Sequence, residues 1–267
     1  MDVPLEARPL LQTNQLKLCS TTQVEKLKLF LRLLPIWFSC LMYPVVLLQT
    51  STFFTKQSST IDRKILPSFI LPPASLSIII TLAAMVFVPI YDCIFVPIAR
   101  RLTGIPSGLT MLQRIGVGTY LSVIYMVIAA LKTRRLGIVR ELGLDDLPNA
   151  VVPMSMWWLL PQYLICGVSN VFAMVGLQEI FYDQMPDGMR SIGCAVFLSI
   201  VCIGSFLSSA IISVVEWTGL KWLTDNLNHA HLDYYYWILV VLSLLSLGFY
   251  MDVAKCFVYK KTHDILP

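Results

Sequence analysis

Long, nearly uninterrupted apolar stretches dominate the pattern of hydrophobic and polar residues along the chain. They cover residues 31–54, 74–98, 111–131, 154–182, 191–215 and 234–256. Each stretch provides the ~20 predominantly apolar residues that an α-helix needs to cross the hydrocarbon core of a bilayer. The pattern therefore predicts an all-α membrane protein with six transmembrane helices, and an even number of crossings places both termini on the same side.

Composition supports this class and narrows the range of partners. The chain is 57% hydrophobic and only 13% charged, with a mean hydropathy of +0.72, which is far from the balance of a soluble domain. Its net charge of +4 suits contact with anionic lipid. The sequence has no basic-aromatic pattern of the kind that stacks bases. We therefore expect a lipid bilayer as the surroundings and no nucleic acid as a partner.

The distribution of Lys and Arg predicts the orientation. More than half of the 20 Lys and Arg residues lie in the termini and in the loops on the same side, and cytoplasmic segments carry the excess of positive charge. We expect residues 1–22 to form a cytoplasmic N-terminal segment, residues 23–261 a six-helix transmembrane domain, and residues 262–267 a cytoplasmic tail. Residues 1–22 lack the apolar core of a signal peptide, so insertion should depend on the first helix.

Side chains suited to catalysis or metal binding are sparse. The sequence has no Walker loop and no GxSxG motif. His229, His231 and Asp233 lie close together before the last apolar stretch, but one short loop offers no fourth ligand for a metal. The sequence therefore predicts neither an enzyme nor a metal site, and no cofactor.

Two polar residues of the fourth apolar stretch are candidates for function. With that helix centred near residue 169, Asn170 lies at the middle of the membrane, whereas Glu179 lies ~15 Å away at the edge of the hydrocarbon. A regular helix also turns them to opposite faces. Glu179 can reach water, but lipid cannot pair with the amide of Asn170. We therefore expect Asn170 to face other helices or a water-filled cavity.

The same stretch has features of a cavity-lining helix that can bend. A polar or small residue recurs at seven-residue intervals, at Ser155, Gln162, Ser169 and Gly176. Pro161 and Gly167 weaken the backbone hydrogen bonding of this helix. The alternative is close packing with hydrogen bonds between helices, which is what we expect in the fifth stretch for Ser205, Ser209 and Ser213.

Charged residues flank the predicted loop between the second and third helices. Asp92 lies near the end of the second apolar stretch, and Arg114 lies near the start of the third. Opposite charges at the same membrane edge favour an ion pair. We predict an Asp92–Arg114 latch at the inner surface; the alternative is that these charges only set the topology.

Several segments resemble one known family. They include "QTSTFFTKQSSTIDRKI", "VPIARRLTG", "GLTMLQRIGVG" and "MWWLLPQYLICGVSNVFAMVGLQEIFYDQMPDGMRSIG". Together they resemble the plant nitrate/peptide transporter branch of the proton-dependent oligopeptide transporter family, within the major facilitator superfamily. The resemblance runs from about Leu16 to Lys261 and covers only the second half of such a carrier, its helices 7–12.

The resemblance implies transport of a small solute by symport with protons, the solute being nitrate, a peptide or a hormone-like metabolite. It also implies a missing N-terminal half, and one half alone has a groove without an opposing wall. We therefore expect the chain to act within a longer two-half carrier or with a second chain. The alternative is a truncated half that does not transport but assembles with, or regulates, intact relatives.

The resemblance further implies the residues of the site. Those expected to line the substrate cavity are Asn170, Gln162, Leu47 and Gln49, and Pro161 with Gly167 would allow a gating bend. Leu47 stands where nitrate-binding members have a His, and Asn170 stands where the family has an acidic residue. Residues 6–11, "EARPLL", resemble the sorting signals that take members to the vacuolar membrane; the plasma membrane is the alternative.

Overall fold

The computed structural model describes most of the chain outside its termini and longer loops. The described residues are 24, 27, 28, 30–59, 61, 62, 64–66, 69, 70, 72–103, 109–132, 152–185, 187–217 and 232–257. The sorting-signal motif, the predicted terminal segments 1–22 and 262–267, and the pair His229 and His231 lie outside these residues. The division into domains therefore stays a prediction.

Helices occur at each of the predicted apolar stretches. The first span consists of Phe30–Ser39 and Met42–Ser59, which meet at an angle of 43°. The second to sixth spans are Pro73–Arg101, Met111–Lys132, Leu160–Asp183, Arg190–Trp217 and Leu232–Cys256. The prediction of an all-α membrane protein with six spans is confirmed, and the bend in the first span is a feature that the apolar pattern did not reveal.

Pro44 explains the bend. A proline has no N–H and collides with the carbonyl four residues earlier, which here belongs to Cys40, at the break between the two helices. The N–H of Tyr43 donates instead to the Cys40 carbonyl, at 3.1 Å. This leaves the carbonyl of Ser39 free, and Ser246 of the sixth span donates its hydroxyl to it at 2.7 Å. A neighbouring helix thus satisfies the backbone that the proline disrupts.

A second irregularity of the first span lies between its helices Met42–Leu48 and Phe53–Ser59. Three consecutive hydroxyl residues occupy this break and bond back to the chain: Thr50 donates to the carbonyl of Leu47 at 2.7 Å, and Ser51 and Thr52 donate to that of Leu48 at 2.9 and 3.1 Å. Such side-chain bonds compete with the helical pattern. The first span is therefore a broken helix.

The second and fourth spans each contain a π-helical turn. In the second span, Tyr91–Phe95 separates the α-helices Ser77–Ile90 and Val96–Thr103; in the fourth, Val171–Val175 separates Leu160–Asn170 from Gly176–Asp183. In the second span, the N–H of Val96 donates to the carbonyl of Tyr91, and Pro97 has no N–H with which to resume an α pattern. Nothing in the local sequence explains the turn of the fourth span.

Short strands accompany the loops between spans. The strands are β1 (Ile61–Asp62), β2 (Lys64–Leu66), β3 (Phe69–Ile70) and β4 (Val152–Ser155). β1 pairs in parallel with β4, and β2 pairs antiparallel with β3. The apolar stretch at residues 154–182 is therefore not helical from its start, since Ser155 ends a strand and the α-helix begins at Leu160.

The third and fourth spans form the centre of the bundle. The fourth packs against both the second and the third, the sixth packs mainly on the third, and the fifth packs on the first and on the end of the fourth. In the most apolar part of the third and fourth spans, about half of the residues are buried (50% and 56%). In the second and fifth spans the buried share is only 6% and 17%. The second and fifth spans therefore present most of their apolar side chains outward, where lipid or another helix can cover them.

The serine pattern of the fifth span differs from the expectation of close packing. Ser209 and Ser213 are exposed, whereas the buried face of this span carries Gly204 and Ser208. A Cβ atom at Gly204 would lie 2.6 Å from Cβ of Pro44, which shows where the fifth span meets the first. Within the described bundle the serine face thus has no helix packed on Ser209 and Ser213, Ser205 is half-buried, and close packing through this face stays a prediction.

Candidate functional site: polar groups inside the membrane

Asn170 lies near the middle of the fourth span and is the last residue of its first α-helix. Its side chain is half-buried, and its Oδ1 atom is buried without a hydrogen-bond partner in the described part of the chain. A buried amide oxygen without a partner costs free energy, of the order of 1–3 kcal/mol. The site therefore has an acceptor that water, a solute or another helix can satisfy.

Gln162 and Gln49 are enclosed more completely than Asn170. Both side chains are 0% exposed. Neither amide atom of Gln162 has a partner among the described residues, and Oε1 of Gln49 has none either. The Nε2 group of Gln49 donates to the carbonyl of Val45 at 2.9 Å, so this side chain caps the helix Met42–Leu48, and a longer contact of 3.4 Å joins it to Ser208.

These positions separate the four predicted cavity residues into two groups. A residue that touches a solute held between two halves of a carrier must lie on the surface of its own half. Asn170 and Leu47 are partly exposed and meet this condition, whereas Gln162 and Gln49 face the interior of the bundle in this conformation. The structure thus does not bring the four side chains together on one surface, and their role in a cavity stays a prediction.

Two of the four regularly spaced polar and small residues, Ser169 and Gly176, form a packing contact with the third span, whereas Ser155 lies exposed in β4. Ser169 donates its hydroxyl to the carbonyl of Gly118 at 2.8 Å, and Tyr43 donates to Ser169 at 3.4 Å. A Cβ atom at Gly118 would lie 2.5 Å from the backbone nitrogen of Ala173, and one at Gly176 would lie 2.9 Å from Ile115. We call this contact, formed by Gly118, Ser169, Ala173 and Gly176, the Gly118 contact.

Pro161 and Gly167 have local structural roles. Pro161 lies in the first turn of the α-helix, where its missing N–H breaks no hydrogen bond. A Cβ atom at Gly167 would lie 2.7 Å from both Ala83 and the carbonyl of Ile80, so the glycine allows the second and fourth spans to touch. A gating bend at these two residues stays a prediction, and the departure from α geometry in this span lies instead at Val171–Val175.

The predicted latch between Asp92 and Arg114 was wrong about the partner. Nη1 of Arg114 lies 2.6 Å from Oε2 of Glu179, so the ion pair joins the third and fourth spans. Asp92 lies exposed in the π turn of the second span. The π turn between Asn170 and Glu179 also removes the basis for placing these two residues on opposite faces, because that estimate assumed a regular helix.

Sequence reasoning did not find the aromatic group beside this ion pair. The guanidinium of Arg114 lies over the ring of Tyr91, 5.4 Å from its centroid. Tyr91 in turn contacts Phe172 edge to face, with centroids 5.2 Å apart. The signal in the sequence was the aromatic spacing Phe87, Tyr91 and Phe95, which places these rings near one another along the second span.

Comparisons with known proteins identify the family of the chain. Residues 6–229 match PTR2, described as the POT family. The chain belongs to the POT family. Among the relatives of this POT-family chain in Arabidopsis thaliana, Protein NRT1/PTR FAMILY 5.4 is 50% identical over 256 residues and Protein NRT1/PTR FAMILY 5.10 is 51% identical over 249. The alignments cover 94% and 91% of this chain.

The solved structures agree on the fold of this POT-family chain. A crystal structure of an auto-inhibited POT family peptide transporter matches 91% of it with a TM-score of 0.68 at 16% identity. The in meso crystal structure of the POT family transporter PepTSo matches 88% of it with a TM-score of 0.65, also at 16% identity.

The chain spans somewhat under half of these proteins. It covers 46% and 45% of the two relatives and 44% and 43% of the two solved chains. This share is consistent with the C-terminal half of a two-half carrier, as the motifs indicated. The resemblance to the POT family is thus confirmed.

Proposed function

We propose that this chain forms one half of a transmembrane solute carrier and moves a small solute together with protons. The observation that carries the proposal is the amide of Asn170, half-buried near the middle of a span with an unpartnered oxygen in the part of the chain described. Lipid cannot pair with such an amide. A solute held between two halves, or water that accompanies it, supplies the missing hydrogen bond.

The proposal includes a second six-helix half. Carriers with this architecture bind the solute near the midplane, between halves that move against each other. The second half belongs either to a longer chain that contains these residues or to another chain. The outward face of the fifth span suits such a contact, because Ser209 and Ser213 are exposed there and small residues allow helices to approach closely.

The chemistry of the half restricts how it contacts the solute. Asn170 and Leu47 carry no charge, so this half contributes hydrogen bonding and apolar contact rather than an ion pair. An amide also does not titrate, so coupling to protons needs an ionisable group elsewhere in the carrier. Nitrate, short peptides and hormone-like metabolites remain the candidate solutes, in the plasma membrane or the vacuolar membrane.

Gln162 and Gln49 reach the solute only if the bundle changes conformation. Each is fully buried here with an unpartnered amide oxygen among the described residues. A conformation that opens the bundle between the first and fourth spans would bring them to the solute, and Pro161 with Gly167 would allow the fourth span to bend. Polar groups kept inside a membrane bundle at a cost in stability are characteristic of transport pathways.

A transport assay tests the proposal. Membranes of cells that express the gene are solubilised, and an antibody against residues 260–267 retains the chain with whichever second half accompanies it. The complex is placed in liposomes, and uptake of nitrate and of a dipeptide is measured with and without an inward proton gradient. We expect uptake that depends on the proton gradient. For Asn170→Ala we expect a KM about five- to tenfold higher, because the variant loses one hydrogen bond to the solute.

The matched control is Gln178→Ala, which removes an exposed amide from the same span closer to the membrane edge. Its KM should equal that of the unmodified protein. If Asn170→Ala and the unmodified protein show identical gradient-driven uptake, Asn170 does not contact the solute. No uptake of either probe by a correctly folded complex would reject the assignment of these solutes.

A further inference from the structure

A groove between the first and sixth spans brings charged and apolar side chains together. Its volume is about 390 Å³, which lies within the range of ligand sites in proteins, about 300–1,000 Å³. Two of the lining residues are charged and four are apolar or weakly polar: Arg32 and Asp252, and Pro35, Val253, Cys256 and Phe257. The groove therefore offers one ligand both an ionic contact and an apolar wall.

The groove lies at the membrane edge where the first span begins and the sixth span ends. Arg32 is the third residue of the first-span helix Phe30–Ser39, and the sixth span ends at Cys256. A helix rises 1.5 Å per residue, so Arg32 lies ~3 Å from the start of that helix along its axis. The distribution of Lys and Arg predicts that this edge is cytoplasmic. At this depth, a ligand can reach both the lipid headgroups and the acyl chains.

An aromatic ring holds the guanidinium of Arg32 at the groove. The central carbon of the guanidinium lies 5.0 Å from the centroid of the Phe257 ring, which is within the range of a cation–π contact. Within the described residues, no carboxylate pairs with Arg32, although Asp252 lines the same groove. A guanidinium has five N–H donors in a fork that matches the oxygen atoms of a phosphate. Arg32 is therefore positioned by its ring contact and can donate to a phosphate.

The charges around the groove favour an anionic ligand. Lys28 precedes Arg32 by four residues in the helical part of the chain, so the two side chains lie on the same helix face. Asp252 lies 3.8 Å from Lys255 on the sixth span, and these two charges offset each other. Three positive charges and one negative charge leave these four side chains with a net charge of +2. Basic pockets between helices at the cytoplasmic edge suit anionic lipid headgroups.

We propose that this groove binds one anionic phospholipid. Arg32 donates hydrogen bonds to the lipid phosphate, Lys28 adds attraction, and one acyl chain lies along Pro35, Val253 and Phe257. Arginine suits this role because its planar fork can donate two parallel N–H bonds to a phosphate. Pro35 is exposed and Val253 is half-buried, so an acyl chain can contact both. The inference does not rest on the proposed transport function, since it concerns a bound lipid and not the solute.

Lipid binding by the purified chain tests the site. The full chain in mild detergent is titrated with equal amounts of phosphatidylglycerol and phosphatidylcholine, and native mass spectrometry counts the lipids of each kind that stay bound. We expect the first phosphatidylglycerol to bind about fivefold more tightly than phosphatidylcholine, which is the effect of one cation near an anionic headgroup. In Arg32→Gln, the affinity for phosphatidylglycerol should fall about tenfold, because a hydrogen bond to a charged group is lost.

The matched control is Arg190→Gln. Arg190 begins the helix of the fifth span, at the same predicted membrane edge, and its guanidinium also lies 5.0 Å from the centroid of an aromatic ring, that of Tyr182. The variant removes the same charge and the same kind of ring contact, and its affinity for phosphatidylglycerol should stay within about twofold of the unmodified protein. An equal loss in both variants would show that only the net charge matters and would overturn the proposal. Equal affinity of the unmodified protein for the two lipids would overturn it as well.

A second variant tests the groove without changing its charge. Cys256→Trp places a large side chain in the groove from an exposed position, and the affinity for phosphatidylglycerol should fall about tenfold because the ring excludes the acyl chain. This variant also tests the proposal if Arg32→Gln does not fold. Glycerol 3-phosphate, which has the phosphate but no acyl chain, should not displace the bound lipid. Displacement by glycerol 3-phosphate, or unchanged binding in Cys256→Trp, would mean that the groove does not hold a lipid.

Discussion

The Gly118 contact and the two buried glutamines are both polar regions inside the membrane, but they differ in how their hydrogen bonds are satisfied. At the Gly118 contact, Ser169 donates to a backbone carbonyl and accepts from Tyr43. At Gln162 and Gln49, amide oxygens are fully buried without a partner among the described residues. The difference separates polar groups whose hydrogen bonds join helices from polar groups that the fold leaves without a partner.

The Gly118 contact should be sensitive to added volume. Gly118→Leu forces a side chain into the backbone of Ala173, 2.5 Å from the position of the new Cβ atom. Because backbone cannot move aside as a flexible side chain does, we expect a loss of about 3 kcal/mol or more in the free energy of unfolding. SDS titration of the purified chain in mild detergent measures it.

The matched control is Gly248→Leu. A Cβ atom there meets nothing within 4 Å, and the residue also lies within a transmembrane helix, the sixth span. Its unfolding free energy should change by less than about 0.5 kcal/mol. Equal losses at both positions would mean that the third and fourth spans do not approach as closely as the structure describes.

Replacing a buried glutamine should raise the free energy of unfolding instead of lowering it. Gln162→Met keeps the length of the side chain and removes two unpartnered amide atoms. Since an unsatisfied buried polar group costs about 1–3 kcal/mol, we expect the variant to be about 1 kcal/mol more stable in the same titration. A destabilised variant would indicate that Gln162 already has a hydrogen-bond partner, such as ordered water, and would remove the contrast with the Gly118 contact.

Removing a satisfied hydroxyl should have a smaller effect. Ser169→Ala deletes the bonds to Gly118 and Tyr43 without adding volume. Hydrogen bonds between membrane helices average about 0.6 kcal/mol, so the expected loss is about 0.6–1 kcal/mol. The control is Ser209→Ala, whose hydroxyl is exposed and bonds only to its own helix, at 3.2 Å to Ser205. A loss at Ser209 as large as that at Ser169 would contradict a specific role for the contact.

Particular residues show how far sequence reasoning reached. The positions of the spans followed from hydropathy, because each span must be apolar for about 20 residues to lie in lipid. Asn170 was correctly placed near the middle of its span because the distance along a helix depends little on packing. The bend of the first span was also visible in principle, since Pro44 must disturb the carbonyl of Cys40.

The partner of Arg114 was not predictable in this way. Asp92 and Glu179 are both carboxylates near the same membrane edge, and the choice between them depends on how two helices are rotated. A π turn rotates the residues that follow it: Glu179 follows the turn Val171–Val175 of the fourth span, whereas Asp92 lies inside the turn Tyr91–Phe95 of the second. Glu179 consequently faces Arg114, while Asp92 points outward in the conformation described.

The sequence by itself determined that the chain crosses a membrane, where its helices lie, and which family it resembles, because these depend on composition and local order. Only the tertiary structure decided which polar groups are paired. It buried Gln162 and Gln49 inside the bundle, joined Ser169 to Gly118, and joined Arg114 to Glu179. The physical reason is that hydrogen bonds and ion pairs act over about 3 Å, a distance that the rotation and closeness of neighbouring helices fix and that residue spacing alone does not.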